Sequence, residues 1–219
     1  MNKYKFQELF SGIGKKSTEI KKKTVTIIGV GGLGSVVAEM LQREGINMRI
    51  IDKGRIELPD LQRQTLYLEE DDNKFKAKQI KKRLEIVDSK NKVKTFHEEL
   101  MKDNLFLLDS SDLIIDCSND LDIMKIVGEY VKKKTPLINC KYAGSEGAIF
   151  ISNKKHLFKE VADKIKVGDI AEKGIINATV HFAAGVIVSQ TLKTLVGEKV
   201  TDNFIVFDVW KDQIRRVNI

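Results

Sequence analysis

The stretch that most constrains this chain is Gly29-Val30-Gly31-Gly32-Leu33-Gly34. It ends a short β-branched run, Thr24–Gly29, that reads as a buried strand. It then opens a segment, 35–44, in which Leu33, Val36, Val37, Met40 and Leu41 share one helical face, with Gly45 as the helix stop. Glycines at such a junction let backbone N–H groups approach phosphate oxygens, and the helix N-terminus favours negative charge. The next strand, Asn47–Asp52, ends in a carboxylate 18 residues after Gly34. A carboxylate there can accept hydrogen bonds from ribose hydroxyls. Steric demand alone also selects glycine at a strand–helix turn. Strand, helix and carboxylate in the right order point instead to a bound nucleotide, with Gly29, Gly31, Gly32, Gly34 and Asp52 as candidate ligands. The motif does not say which nucleotide.

The same alternation continues downstream. A helix is expected over Lys76–Val87, with Ala77, Ile80, Leu84 and Val87 at helical spacing, and strands over 92–96 and 112–116. A helix over 121–131 and a fifth strand starting at Pro136–Asn139 follow. This pattern predicts an α/β fold: a Rossmann-like, doubly wound, mostly parallel sheet with right-handed crossovers. After residue 140 the rhythm changes. A strand is expected over 147–152, no clean period over 153–173, and a buried helix, apolar nearly all round, over 178–196. A terminal strand pair over 203–209 and 213–219 would extend the sheet in antiparallel fashion. The 219 residues are read as a single domain: a basic segment 1–23, a nucleotide-binding half 24–140 and a second half 141–219.

Charge and cysteine content narrow the function classes. The formal charge is +7, but residues 1–23 hold seven lysines against Glu8 and Glu19, a net +5, which leaves +2 for the remaining 196 residues. A broad nucleic-acid-binding face is therefore not expected. No run of 18 apolar residues occurs, so no membrane span is expected. The N-terminus lacks the apolar core of a secretory signal. Cys117 and Cys140 have no CxxC spacing, which excludes a four-cysteine zinc site and points to a reducing cytoplasm. His97, His156 and His181 are scattered and receive no role.

A polar segment just after the ribose carboxylate, Asp60-Leu61-Gln62-Arg63-Gln64, has no use in a nicotinamide-dependent dehydrogenase. With it the chain resembles the ubiquitin-activating-enzyme-like superfamily, in particular its ThiF/MoeB/HesA group of adenylyltransferases. Their ordered pattern is a GxGGLG loop, a strand-end Asp, an NLQRQ segment, a lysine opening the next helix and a DCTDN-like run. Here these stand as 29–34, Asp52, 60–64, Lys76 and Asp116-Cys117-Ser118-Asn119-Asp120. The likeness continues through Gly144-Ser145-Glu146-Gly147 and covers about residues 24–219.

The resemblance implies ATP and Mg²⁺ as cofactors. It implies as substrate a small ubiquitin-like β-grasp carrier protein ending in Gly-Gly, whose carboxylate becomes an acyl-adenylate as pyrophosphate leaves. It also implies a homodimer. Arg63 would clamp phosphate through its planar fork, and Lys76 would supply a second cation. Asp60 and Gln64 would lie near the nucleotide. Asn119-Asp120 reverses the family's usual Asp-Asn order, so Asp120 is expected to take the metal role and Asn119 to sit beside the nucleotide. As a bland alternative, Asp120 only caps the following helix. No zinc is expected, since the family's CxxC pair is missing and its region is compressed into 153–173. Relatives also begin Tyr-x-Arg-Gln, with an arginine reaching the neighbouring subunit's ATP. Here the run is Tyr4-Lys5-Phe6-Gln7, so Lys3 or Lys5 substitutes or the contact is lost. Competing readings are a weakened or non-catalytic binding member of the superfamily, a tRNA-modifying adenylating dehydratase and a dehydrogenase.

Overall fold

A computed structural model describes residues 2–131, 135–152, 165–199 and 203–218. The part of the unperiodic stretch at 153–164, with His156, lies outside these. The central strand β1 (Thr24–Ile28) is β-branched and apolar enough to be buried on both faces. It pairs in parallel with β2 (Asn47–Ile51) on one side and β4 (Leu113–Asp116) on the other. β3 (Val93–Phe96) and β5 (Leu137–Ala143) extend the parallel part. β6 (Glu146–Ser152), β7 (Asn203–Asp208) and β8 (Gln213–Asn218) then add in antiparallel fashion. Strand order is β3-β2-β1-β4-β5-β6-β7-β8. Order reverses between β1 and β4, which opens a crevice at their carboxyl ends.

Seven helices are described: α1 (Lys5–Leu9), α2 (Ser17–Ile20), α3 (Gly32–Arg43), α4 (Lys76–Val87), α5 (Leu121–Tyr130), α6 (Ile170–Lys173) and α7 (Asn177–Leu195). The larger core lies on the face covered by α3, α4 and α7 and joins Val25, Ile27, Leu33, Val37, Ile80, Ala184 and Ile187. A second core, with Ile28, Ile51, Ile114, Val127 and Leu137, lies on the α5 face. No helix among the described residues is long and apolar enough to cross a membrane.

Three details differ from the sequence expectation. α3 starts at Gly32 rather than Ser35, inside the glycine loop. β5 runs four residues past Asn139, because β6 pairs with it as far as Ala143↔Glu146. α7 is not buried all round. Val180, Ala183, Ala184, Ile187 and Val188 are buried, while His181, Ser189 and Lys193 are exposed.

The lysine-rich N-terminus packs on its own chain. Lys3 and the Tyr4 hydroxyl both engage the Asp88 carboxylate. Lys16 Nζ donates to the Val196 carbonyl (2.6 Å), and Lys21 and Lys23 pair with Glu8 (3.2 Å) and Asp112 (2.9 Å). Of the two lysines expected to replace the missing arginine, Lys3 is thus paired to Asp88, and Lys5 is exposed. Tyr4 also sits over Gly45, which ends α3. The Gly45 N–H donates to Gln42 O (3.2 Å) and the Ile46 N–H to Leu41 O (3.1 Å), a Schellman closure. Gly45 has φ +81°, and a Cβ there would lie 2.9 Å from the Tyr4 hydroxyl oxygen. Gly45→Ala is expected to cost about 1–2 kcal/mol in urea denaturation from the left-handed backbone alone, with Tyr4 displaced from Asp88.

Candidate functional site

A cleft of about 850 Å³ opens where the order of β1 and β4 reverses. Ten of the eleven site residues expected from the sequence line it: Gly29, Gly31, Gly32, Asp52, Asp60, Arg63, Gln64, Lys76, Asn119 and Asp120. The exception is Gly34, whose place is behind the wall. A Cβ on Gly34 would lie 1.9 Å from the Gly29 carbonyl oxygen, so only glycine lets α3 seat on the end of β1.

Asp52 shapes the loop it was expected to serve. One carboxylate oxygen accepts the Val30 N–H (2.7 Å) and the other the Gly54 N–H (2.6 Å). Behind the loop, the buried Tyr67 hydroxyl donates to the Val30 carbonyl (2.9 Å). Burial, with Asp52, Asp60 and Asp71 nearby, pushes its phenol up and keeps it a donor. Tyr67 was not legible as a site residue, since it belongs to none of the motifs that mark the site.

Asp60 gathers the cations. Its carboxylate lies 2.8 Å from Lys76 Nζ and 3.3 Å from an Arg63 terminal nitrogen, with all three side chains under a fifth exposed. Arg63 also donates to the Pro59 carbonyl (2.9 Å), and Lys76 is positioned by its own N–H on Gly54 O (3.0 Å). One carboxylate thus holds two cations at the cleft wall near the glycine loop. Arg63 Nε and Gln64 Oε1 are buried with no hydrogen-bond partner among the described residues. Orphaned buried polar groups are costly and call for an explanation. Here they border a cleft, and a Cβ on Gly32 would approach Arg63 Nε to 3.2 Å.

At the end of β4, Asn119 adopts φ +60°. Its amide oxygen accepts the Tyr142 N–H (3.0 Å) and its amide nitrogen donates to the Tyr142 carbonyl (3.3 Å). The Asn119 amide therefore ties the β4 end to β5. Asp120 caps α5, with Oδ1 accepting the Asp122 N–H (2.8 Å) and the Ile123 N–H (3.3 Å), while lining the cleft. No group of three or more His, Cys, Asp or Glu side chains among the described residues could hold a metal alone.

One further residue escaped the sequence reading. Lys141 lines the cleft from β5, with its Nζ donating to the Asn119 carbonyl (2.9 Å) and pairing with Asp169 (3.3 Å). Asp116 is fully buried below the site and accepts the Ser118 N–H (2.9 Å). Burial pushes both the Cys117 and Cys140 thiols up, which makes them poor nucleophiles. His97 stacks on Phe75 with ring centroids 3.8 Å apart, and His181 is exposed on α7.

A family model described as the ThiF family matches residues 4–219. The chain belongs to the ThiF family. The sulfur carrier protein ThiS adenylyltransferase of Bacillus subtilis (strain 168) is 31% identical to it, covering 96% of this chain and 66% of that protein. The adenylyltransferase and sulfurtransferase MOCS3 of Aedes aegypti is 25% identical, covering 99% of this chain and 52% of its own length. A sulfur carrier protein adenylyltransferase of Thermus thermophilus is 23% identical, covering all of this chain and 87% of the other. This ThiF-family chain thus spans between half and two thirds of the length of the first two relatives. Among solved structures, PaaA superposes with a TM-score of 0.81 at 22% identity, covering 99% of this chain and 72% of the other. Escherichia coli MccB with MccA-N7isoASN gives 0.80 at 20%, covering 100% and 72%. Both share the fold.

Proposed function

We propose that this ThiF-family chain is an ATP-dependent adenylyltransferase. Its substrate is the C-terminal Gly-Gly carboxylate of a small β-grasp sulfur-carrier protein. The observation that carries the reading is the Asp60–Arg63–Lys76 cluster beside the glycine loop, with Arg63 Nε and Gln64 Oε1 buried and unpartnered. The names of the Bacillus and Thermus relatives support it. In the reaction a carboxylate oxygen forms a bond to the α-phosphorus of ATP. The bond from that phosphorus to the bridging oxygen breaks, and pyrophosphate leaves with the electron pair. Negative charge builds on phosphoryl oxygens, and fixed cations in a site that excludes water stabilise it most effectively.

The residues fit that demand. The backbone N–H groups of Gly31 and Gly32 at the start of α3 face phosphate, Asp52 holds ribose, and Arg63 and Lys76 take phosphoryl oxygens. Asp60 keeps both cations aimed at the cleft before ATP arrives. A bound Mg²⁺, which is typically held by one or two carboxylates plus substrate phosphates, would supply charge neutralisation there. Asp120 suits that role, because its cap uses Oδ1 and leaves Oδ2 for a cation. Asn119 bears on the nucleotide indirectly, by fixing the turn that presents Asp120. Residues 24–140 form the nucleotide half and 141–219 the carrier and dimer half of one domain, working as a homodimer in the cytoplasm. Phe6, Leu9 and Phe10, each more than 60% exposed around α1, support a covered N-terminal face.

Incubation with labelled pyrophosphate, ATP, Mg²⁺ and carriers ending in Gly-Gly tests the reading. Exchange of label into ATP that depends on one such carrier is expected. Absence of exchange with every Gly-Gly carrier of the same genome rejects the reaction.

A further inference from the structure

We infer that Lys141 is the cation that receives the reacting carboxylate of the substrate, and that Asp169 holds this place until the substrate arrives. The inference rests on the adenylyltransferase reading. Lys141 lies two residues beyond the last β4 pairing, Asp116↔Asn139, and is held in register by β6, with Ala148 opposite it. Its side chain is only 8% exposed, yet it lines the cleft. Taking an ammonium out of water is costly, and among the described residues its one ion-pair partner is Asp169.

That partner is exchangeable. The Asp169 side chain is 70% exposed, against 13% for the Asp60 carboxylate that holds Lys76. Asp169 occupies the N-cap position of α6 but makes no capping bond to it. Its carboxylate turns instead to Lys141, at 3.3 Å. The other Lys141 bond goes to a neutral carbonyl, Asn119 O. An incoming carboxylate can therefore replace Asp169 without stranding a buried charge, because the released Asp169 stays in water.

The placement separates this cation from the phosphate set. Arg63 and Lys76 stand beside Gly32 and Gly54, on the β1–β2 side of the cleft. Lys141 stands beyond β4 with its Nζ on the carbonyl of Asn119, the residue before Asp120, where a carboxylate entering over the antiparallel half meets the end of the phosphate site. A carboxylate is also the group Lys141 holds now.

The test uses the full chain with Mg²⁺ and a non-hydrolysable ATP analogue. Calorimetry compares a synthetic peptide ending in Gly-Gly with its C-terminal amide. Wild type is expected to prefer the free carboxylate at least tenfold. Lys141→Met should remove that preference while leaving affinity for the ATP analogue within about twofold. Lys141→Arg should retain most of the preference. Asp169→Asn, an exposed change that spares the fold, should tighten the carboxylate peptide severalfold. The inference is overturned if wild type shows no preference, if the preference survives Lys141→Met, or if Asp169→Asn weakens the peptide. It is equally overturned if Lys141→Met weakens the ATP analogue and leaves the peptide preference intact, since Lys141 would then serve phosphate. Pyrophosphate exchange run in parallel on wild type judges the adenylyltransferase reading separately, because peptide binding needs no turnover.

Discussion

Arg63→Ala is expected to lower carrier-dependent pyrophosphate exchange by about 10²–10³-fold, the usual loss when one preorganised charge-stabilising donor is removed. The substitution leaves the rest of the cluster in place. Asp60 keeps Lys76 at 2.8 Å and its contact to the Glu57 N–H at 3.3 Å, so no buried carboxylate is stranded. The Arg63 bonds that disappear are the one to the Pro59 carbonyl and the 3.3 Å contact to Asp60. Thermal unfolding should therefore change little while turnover collapses. Arg63→Lys should recover only part of the loss, because an ammonium supplies charge without the planar fork. Exchange within threefold of wild type in Arg63→Ala would remove Arg63 from the chemistry.

Much of this cleft was legible because its residues are local in sequence. The glycine loop and Asp52 lie at the ends of two adjacent parallel strands, and Asp60, Arg63 and Gln64 share one turn. The lysine opening α4 was within reach of a motif, although Lys74 and Lys78 close by left its register open. What could not be read depends on contacts between distant segments. Lys141 follows Asn139 and Cys140, where a polar residue in an apolar run looked like the end of the strand. Only pairing with β6 carries β5 on to Ala143 and buries the lysine in the cleft wall. Asn119 was expected beside the nucleotide, and although it lines the cleft, its amide is turned to the backbone of Tyr142, 23 residues away. The N-terminal lysines looked like free charge. Asp88 and Asp112, which neutralise Lys3 and Lys23, come from segments far along the chain. Charge patterning locates basic residues but says nothing of which acids the fold brings to them.

Asp116→Asn is expected to stabilise the protein at neutral pH and to remove a pH dependence. Burial pushes the Asp116 carboxyl up from 3.8 to about 6, helped by Asp120 and opposed by its bonds to Ser118. The folded state thus holds the proton more tightly than the unfolded chain does. The resulting penalty is small near pH 4, grows as pH rises toward 6, and is complete above that. A shift of this size corresponds to about 3 kcal/mol at pH 8 and to under about 1 kcal/mol at pH 4. Asparagine keeps an oxygen for the Ser118 N–H and carries no charge. Asn139 is the register neighbour of Asp116, and Asn139 Oδ1 and Asp116 Oδ2 are both buried without partners among the described residues. The thiols of Cys117 and Cys140 nearby stay neutral across this range, so they add no titration of their own. Urea denaturation of wild type and variant at pH 4 and pH 8 measures the difference, and groups that titrate alike in both proteins cancel. A variant less stable than wild type at pH 8 would show that the buried carboxylate is held by more than its Ser118 bonds. The expected gain implies that the charge at Asp116 is kept at a cost in stability, next to the turn that presents Asn119 and Asp120 to the cleft. A fall in exchange activity alongside the gain would tie that cost to the site.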